Sequence, residues 1–233
     1  MKLEHSRALV TGGSEGIGLG IAEALAAKGA KVAIMARSKD RVEKAAKKIG
    51  ALGIVGDVGR EADAVRAVQT VVAEFGGIDI LVNNAGFGHF LPLVEMDQAR
   101  FEEVFRTNVT GAMLMAREAA RHFVAQKSGT LINISSTSGL KGGQNGSAYS
   151  GSKFALRGMA ECWREELRRH NVRVTLVNPS EVLTDFSSKV GRSQELTNKK
   201  LRPQEIADAI VGALEIDARG FIPEFSVFAT NPF

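Results

Sequence analysis

A doubly wound α/β fold, one domain with a parallel sheet of about seven strands and helices on both faces, is what this sequence of 233 residues predicts. Three observations predict it. Short β-branched apolar runs alternate with longer helix-period segments from one end of the chain to the other. No linker, repeat or low-complexity run divides them, so residues 1–233 read as a single unit. A glycine-rich turn stands at the first switch from strand to helix. Alternation over the whole length implies parallel strands joined by crossover helices that cover both faces.

Strands are expected at 8–10, 31–35, 54–55, 80–82, 130–134 and 172–177, with a last one near 221–225. Helices are expected at 17–28, 40–49, 61–75, 97–124 in two parts, 148–170 and 203–216. Leu19, Ala22 and Ala26, like Val65, Val68 and Val72, recur at the spacing of a buried helical stripe. Gly29, the Gly76-Gly77 pair and Pro203 punctuate the helix ends.

Composition narrows the function classes. Lys and Arg number 30 against 26 Asp and Glu, a mildly basic balance. The basic residues are spread along helices (Arg41, Lys44, Lys47 and Lys48; Arg164, Arg168 and Arg169) and read as solvated faces, not a nucleic-acid surface. Aromatic residues make up only 6%, too few for base-stacking platforms. Cys162 is the only cysteine, which rules out an internal disulfide and a cysteine metal site. Its apolar-periodic neighbours Ala160 and Trp163 suggest a buried packing role. No metal site is expected. The first seven residues lack an apolar segment and no run approaches 18 apolar residues, so a cytoplasmic protein without a membrane span is expected.

In sheets of this kind ligands bind beyond the carboxyl ends of the strands. After Ala8-Leu9-Val10 come Thr11-Gly12-Gly13-Ser14-Glu15-Gly16-Ile17-Gly18, running directly into a helix. Gly12 permits a tight turn, Gly16 lets backbone approach a pyrophosphate, and Gly18 lets helix and strand pack closely. The exposed N–H groups and the helix dipole favour an anion there. The fourth strand ends in Asn83-Asn84-Ala85-Gly86. Asn108 and Gly111 interrupt a helical pattern, where both residue types disfavour a regular interior, so a local kink is expected. Tyr149, the only tyrosine, precedes Lys153 by one helical turn, which puts both on one face. An ammonium nearby favours the phenolate, and so brings a proton-transferring phenol closer to neutral pH.

The order and spacing of the Gly loop, the Asn-Asn-Ala-Gly run, Ser136 and the Tyr149/Lys153 pair resemble the short-chain dehydrogenase/reductase family across nearly the whole chain. The resemblance implies a Rossmann-type fold and hydride transfer between a nicotinamide cofactor and a carbonyl/alcohol pair. It implies a catalytic set of Asn108, Ser136, Tyr149 and Lys153, with Tyr149 as general acid, Ser136 orienting the substrate oxygen and Asn108 holding a relay water. It implies cofactor binding by Gly12, Ser14, Glu15, Gly16, Ile17, Gly18, Asn84, Ala85 and Gly86, with Tyr149 and Lys153 near the nicotinamide ribose. Asp57 and Val58 resemble the adenine-binding pair. Pro179, Val182 and Thr184 resemble the segment that holds the carboxamide, with Ser180 in place of the usual glycine.

An NAD site usually carries an acidic residue about 20 positions beyond the Gly loop. Here Ala36 stands at that place and Arg37 follows, which suits a 2′-phosphate. Glu15 argues the other way. NADP(H) is therefore favoured over NAD(H). The expected activity is reduction of a ketone or aldehyde, a 3-oxoacyl thioester included. An NAD-linked alcohol dehydrogenase and a non-catalytic cofactor-binding regulator are the alternatives. Residues 87–93, 140–145 and a substrate loop at about 186–201 are expected to wall the pocket, and His89 reads as a plain loop histidine. The helices at 108–124 and 148–170 carry apolar residues on more than one face. The resemblance implies that they pair, giving a homodimer or homotetramer.

Overall fold

Alternate residues of a strand leave the sheet on opposite sides, and in this chain both sides are apolar. Val10, Ile34, Val82 and Ile132 pack into one core layer, whereas Leu9, Met35, Leu81 and Leu131 pack into the other. The computed structural model describes residues 2–186 and 199–231. Its strands are β1 (Arg7–Thr11), β2 (Lys31–Ala36), β3 (Leu52–Val55), β4 (Ile80–Asn83), β5 (Gly129–Ile134), β6 (Val172–Pro179) and β7 (Glu224–Val227). They form one parallel sheet in the order β3-β2-β1-β4-β5-β6-β7.

Helices α1 (Gly16–Ala27), α2 (Lys39–Ile49) and α7 (Pro203–Glu215) close the first layer with Ile21, Leu25, Val42, Ile206 and Ile210. Helices α3 (Glu61–Phe75), α5 (Ala112–Gln126) and α6 (Ser147–Leu167) close the second with Val68, Val71, Met115, Phe123 and Leu156. Helix α4 (Gln98–Phe105) leads into α5. Local chemistry sets the helix ends. Gly76 ends α3 in the left-handed conformation, φ 80°. Pro203 opens α7, and the Glu205 carboxylate accepts the Arg202 N–H at 2.7 Å. Among the described residues no helix is long and apolar enough to cross a membrane.

The expected doubly wound sheet is present, with two local differences. The last strand begins at Glu224, not near residue 221, because Pro223 has no N–H to give to a ladder. Cys162 is exposed on α6 and not buried; the apolar spacing belongs to its neighbours, and the thiol itself turns outward.

The order reverses between β1 and β4: β2 and β3 lie to one side, β5 to β7 to the other. The loops leaving β1 and β4 therefore part, and a crevice opens between them.

Candidate active site

The turn after β1 is shaped by what its glycines cannot carry. Gly12 (φ 62°) and Gly16 (φ 54°) adopt left-handed backbone. A Cβ on Gly18 would run into the Gly12 carbonyl and the Asn84 amide. Asn84 Nδ2 donates to the carbonyls of Thr11 at 2.9 Å and Gly12 at 3.2 Å. Thr11 Oγ1 accepts from the N–H groups of Asn84 and Ala85, at 3.0 and 3.1 Å. The β1 and β4 loops are thus tied edge to edge, and Asn84 acts on the cradle from behind. Helix α1 begins at Gly16 without a side-chain cap hydrogen bond at its N-cap, so the positive end of its dipole lies at the crevice.

The crevice is lined by Gly12, Ser14, Glu15, Ala36, Arg37, Arg41, Asp57, Val58, Ala85 and Gly86, together with Phe87 and Thr107. Glu15 pairs with Arg41 at 2.9 Å. Arg41, read from sequence as a solvated helix residue, therefore belongs to the crevice. Its position in the first turn of α2, four residues after Arg37, was the available signal. Arg37 is exposed. Asp57 Oδ1 accepts the Gly59 N–H at 2.9 Å and Oδ2 accepts from Arg106 at 3.2 Å, so its carboxylate is fixed at the crevice wall.

The expected kink at Asn108 is a π-helix, Arg106–Gly111, between α4 and α5. Such a bulge shifts the backbone register and turns a side chain out of line. Asn108 is 1% exposed. Its Nδ2 donates to Phe87 O at 2.8 Å and to Ser152 Oγ at 2.9 Å, and its Oδ1 accepts the Phe87 N–H at 3.1 Å. Asn108 therefore binds the β4 loop to α6. A Cβ on Gly86 would lie 3.0 Å from Asn108 Oδ1 and 3.5 Å from Lys153 Nζ, so the amide and the ammonium border the same small residue.

Lys153 is 4% exposed, and its Nζ donates to Ile134 O, at the end of β5, at 2.8 Å. Burial pushes its ammonium down to about 8. The Nζ lies 5.7 Å from the centre of the Tyr149 ring. The serines after β5 divide as strand alternation requires. Ser135 is buried and its Oγ donates to Lys153 O at 3.3 Å, whereas the Ser136 Oγ accepts the Ser138 N–H at 3.1 Å and keeps its own proton to donate.

Beyond β6, Pro179 ends the strand and Val182 is buried, bridging to Leu201. The Leu183 N–H donates to Leu201 O at 2.7 Å. Ser180 donates its N–H to Val227 O at 2.9 Å. Among the described residues the non-glycine positions with positive φ are His5, Lys127, Asn145 and Asn171, so serine is unstrained in the usual glycine place. Thr184 reaches back over Gly16; a Cβ there would be 3.4 Å from its Cγ2. This brings the β6 segment across the Gly loop. Residues 187–198, most of the expected substrate loop, lie outside the described residues. His89 pairs with Glu103 at 3.1 Å.

A family model described as short chain dehydrogenase matches residues 6–195. The chain belongs to that family. It is thus an NAD(P)-dependent oxidoreductase. This short-chain dehydrogenase is 37% identical to a 3-oxoacyl-[acyl-carrier-protein] reductase of Mycobacterium bovis over 210 residues, covering 87% of the chain and 82% of the relative. An alcohol dehydrogenase from Thermococcus sibiricus, complexed with 5-hydroxy-NADP, superposes with a TM-score of 0.89 at 28% identity over 97% of each chain. A 3-ketoacyl-(acyl-carrier-protein) reductase from Brucella melitensis, complexed with NADH, gives 0.90 at 29% identity, covering 99% of this short-chain dehydrogenase and 100% of that structure.

Besides Arg41, two contributors could not be told from the sequence. Gly13 has to be small because a Cβ would sit 2.7 Å from Ile34 Cγ2, and the signal was the doubled glycine itself. Thr11 holds the loops together through its hydroxyl, which a Thr directly before a Gly turn could have announced.

Proposed function

We propose that this short-chain dehydrogenase reduces a ketone or aldehyde to an alcohol with NADPH, using Tyr149 as the proton donor. The observation that carries this reading is the buried Lys153, held by Ile134 O on the same helix face as Tyr149. Burying a cation costs free energy, and titratable groups perturbed in this way cluster at functional sites.

The crevice suits a dinucleotide: its turn is kept clear of Cβ atoms at Gly12, Gly16 and Gly18, and it meets an uncapped helix end. When bound there, the nicotinamide supplies a hydride to the carbonyl carbon. The oxygen must then receive a proton from the protein. Tyr149 gives that proton from its phenol, and Lys153 stabilises the phenolate left behind. Ser136 donates its hydroxyl proton as a hydrogen bond to the same oxygen. Asn108, whose Oδ1 borders Gly86 on the side of Lys153, would hold the relaying water. Ser14, Glu15, Ile17, Val58, Ala85, Pro179, Val182 and Thr184 frame the cofactor by backbone and small side chains.

Cofactor choice rests on charge. Arg37 and Arg41 bring two guanidinium groups to the crevice, and Arg41 already offsets Glu15. This favours the 2′-phosphate of NADP(H). The Glu15 carboxylate favours the second reading, an NAD-linked alcohol dehydrogenase, because it stands at the same lip.

The outer face of α5 and α6 supports self-association. Met113, Ala116, Ala120, Val124, Trp163 and Leu167 line an apolar groove of about 540 Å³, edged by Arg117, Arg121 and Glu166. Such a face suits a homodimer or homotetramer.

The deciding experiment is an NADPH-consumption screen over ketones, aldehydes and 3-oxoacyl thioesters. Saturable turnover of at least one class is expected. NADPH binding without consumption for any carbonyl would overturn the proposal.

A further inference from the structure

The loop after β4 folds over the Tyr149 ring. Phe90 brings its ring centre to 5.2 Å from that of Tyr149, tilted by 45°. Phe186, from the segment after β6, approaches to 5.6 Å with a tilt of 50°. These are the separations of packed aromatic pairs. Phe90 is held from the next residue: the Leu91 N–H donates to Asn145 O at 3.0 Å. Asn145 takes a left-handed φ of 62° to present that carbonyl. At Gly88 a Cβ would stand 2.9 Å from Tyr149 Cδ2 and 3.0 Å from Phe90 Cε2. Only a glycine fits between the two rings at that point of the loop. The rings of Phe90 and Phe186 thus flank the phenol at which a carbonyl substrate would take its proton.

We propose, on the reading of this site as a carbonyl reductase, that its substrates are compact cyclic or aryl ketones with hydrocarbon on both sides of the carbonyl. Phe90 and Phe186 select them. A 3-oxoacyl thioester carries a second carbonyl next to the methylene that flanks its ketone. Phe90 and Phe186 offer that polar oxygen no hydrogen-bond donor, so pressing it against their rings costs free energy. A ring ketone has no such group, and its hydrocarbon gains from contact with the same wall.

The test compares kcat/KM for 2-decalone and for acetoacetyl-N-acetylcysteamine on the intact protein with NADPH. A preference of about tenfold or more for the decalone is expected, the scale of discrimination by apolar contacts. Phe90→Ser and Phe186→Ser should each reduce that ratio by about tenfold. Because both substrates meet the same protein, general damage to the site cancels in the ratio, and the unmutated protein alone decides the main point. A ratio at or below one overturns the substrate assignment while leaving carbonyl reduction standing. Turnover of neither substrate, nor of any other carbonyl, removes both. An unchanged ratio in both variants overturns the role given to the two phenylalanines.

Discussion

Lys153 Nζ stands 5.7 Å from the centre of the Tyr149 ring, one turn further along α6. If the phenol is the proton donor, Tyr149→Phe keeps the packing and removes the chemistry. Its kcat should fall by about 10²- to 10⁴-fold, while NADPH still binds in a fluorescence titration. A variant with near-native kcat would move the acid elsewhere.

Burial of Lys153 gives its loss an unusual stability signature. The folded protein releases this proton near pH 8, against an ordinary 10.5. Between those values the unfolded chain binds more protons, so stability from this group rises with pH and is flat on either side. Below pH 8 the buried charge costs about 3 kcal/mol, partly offset by its bond to Ile134 O. Lys153→Met should therefore stabilise the cofactor-free protein by about 1–3 kcal/mol at pH 7. In urea unfolding that gain should shrink above pH 8 and vanish near 10.5. A destabilised variant at pH 7 would contradict it.

Arg37 faces the crevice beside the Glu15–Arg41 pair. Arg37→Ala should lower kcat/KM for NADPH by about 10- to 100-fold, the loss of a charge-assisted pair, and leave NADH within about twofold. Glu15→Gln should act in the opposite sense and improve NADPH by a few-fold. Parallel kinetics with both cofactors check this. Equal use of both by the unmutated protein would defeat the assignment.

Gly18 lies where any Cβ meets the Gly12 carbonyl and the Asn84 amide. Gly18→Ala should cost about 1–3 kcal/mol by overpacking and raise the KM for cofactor more than that for substrate. Denaturant midpoints and cofactor titration measure the two effects separately.

The α5–α6 groove predicts an assembly. Ala120→Arg places a charge on its apolar lining and should shift sedimentation from dimer or tetramer to monomer. A monomeric unmutated protein would refute the interface.

Most of the sheet and the glycine-rich wall of the crevice were legible in the sequence, and the reasons are local. Strand runs such as Ile80-Leu81-Val82 must be apolar on both sides, and glycines at Gly12, Gly16 and Gly18 have no substitute in a turn this tight. The Asn108 irregularity was legible because Asn and Gly oppose a regular helix. The rest depended on which distant residues meet. The pairing of Arg41 with Glu15 spans 26 positions, and each looks like an ordinary solvated charge by itself. Cys162 misled because periodicity reports a stripe and not every member of it. Phe90 was placed near the pocket only as part of a loop; its contact with Tyr149 needs the clasp between Leu91 and Asn145.

The bridge from Val182 to Leu201, with the Leu183 N–H on the Leu201 carbonyl, fixes two points of the chain side by side. Closing a longer loop between fixed ends costs only about 0.6 kcal/mol for each doubling of its length. Insertions and exchanges between those points can therefore accumulate during evolution without straining the sheet.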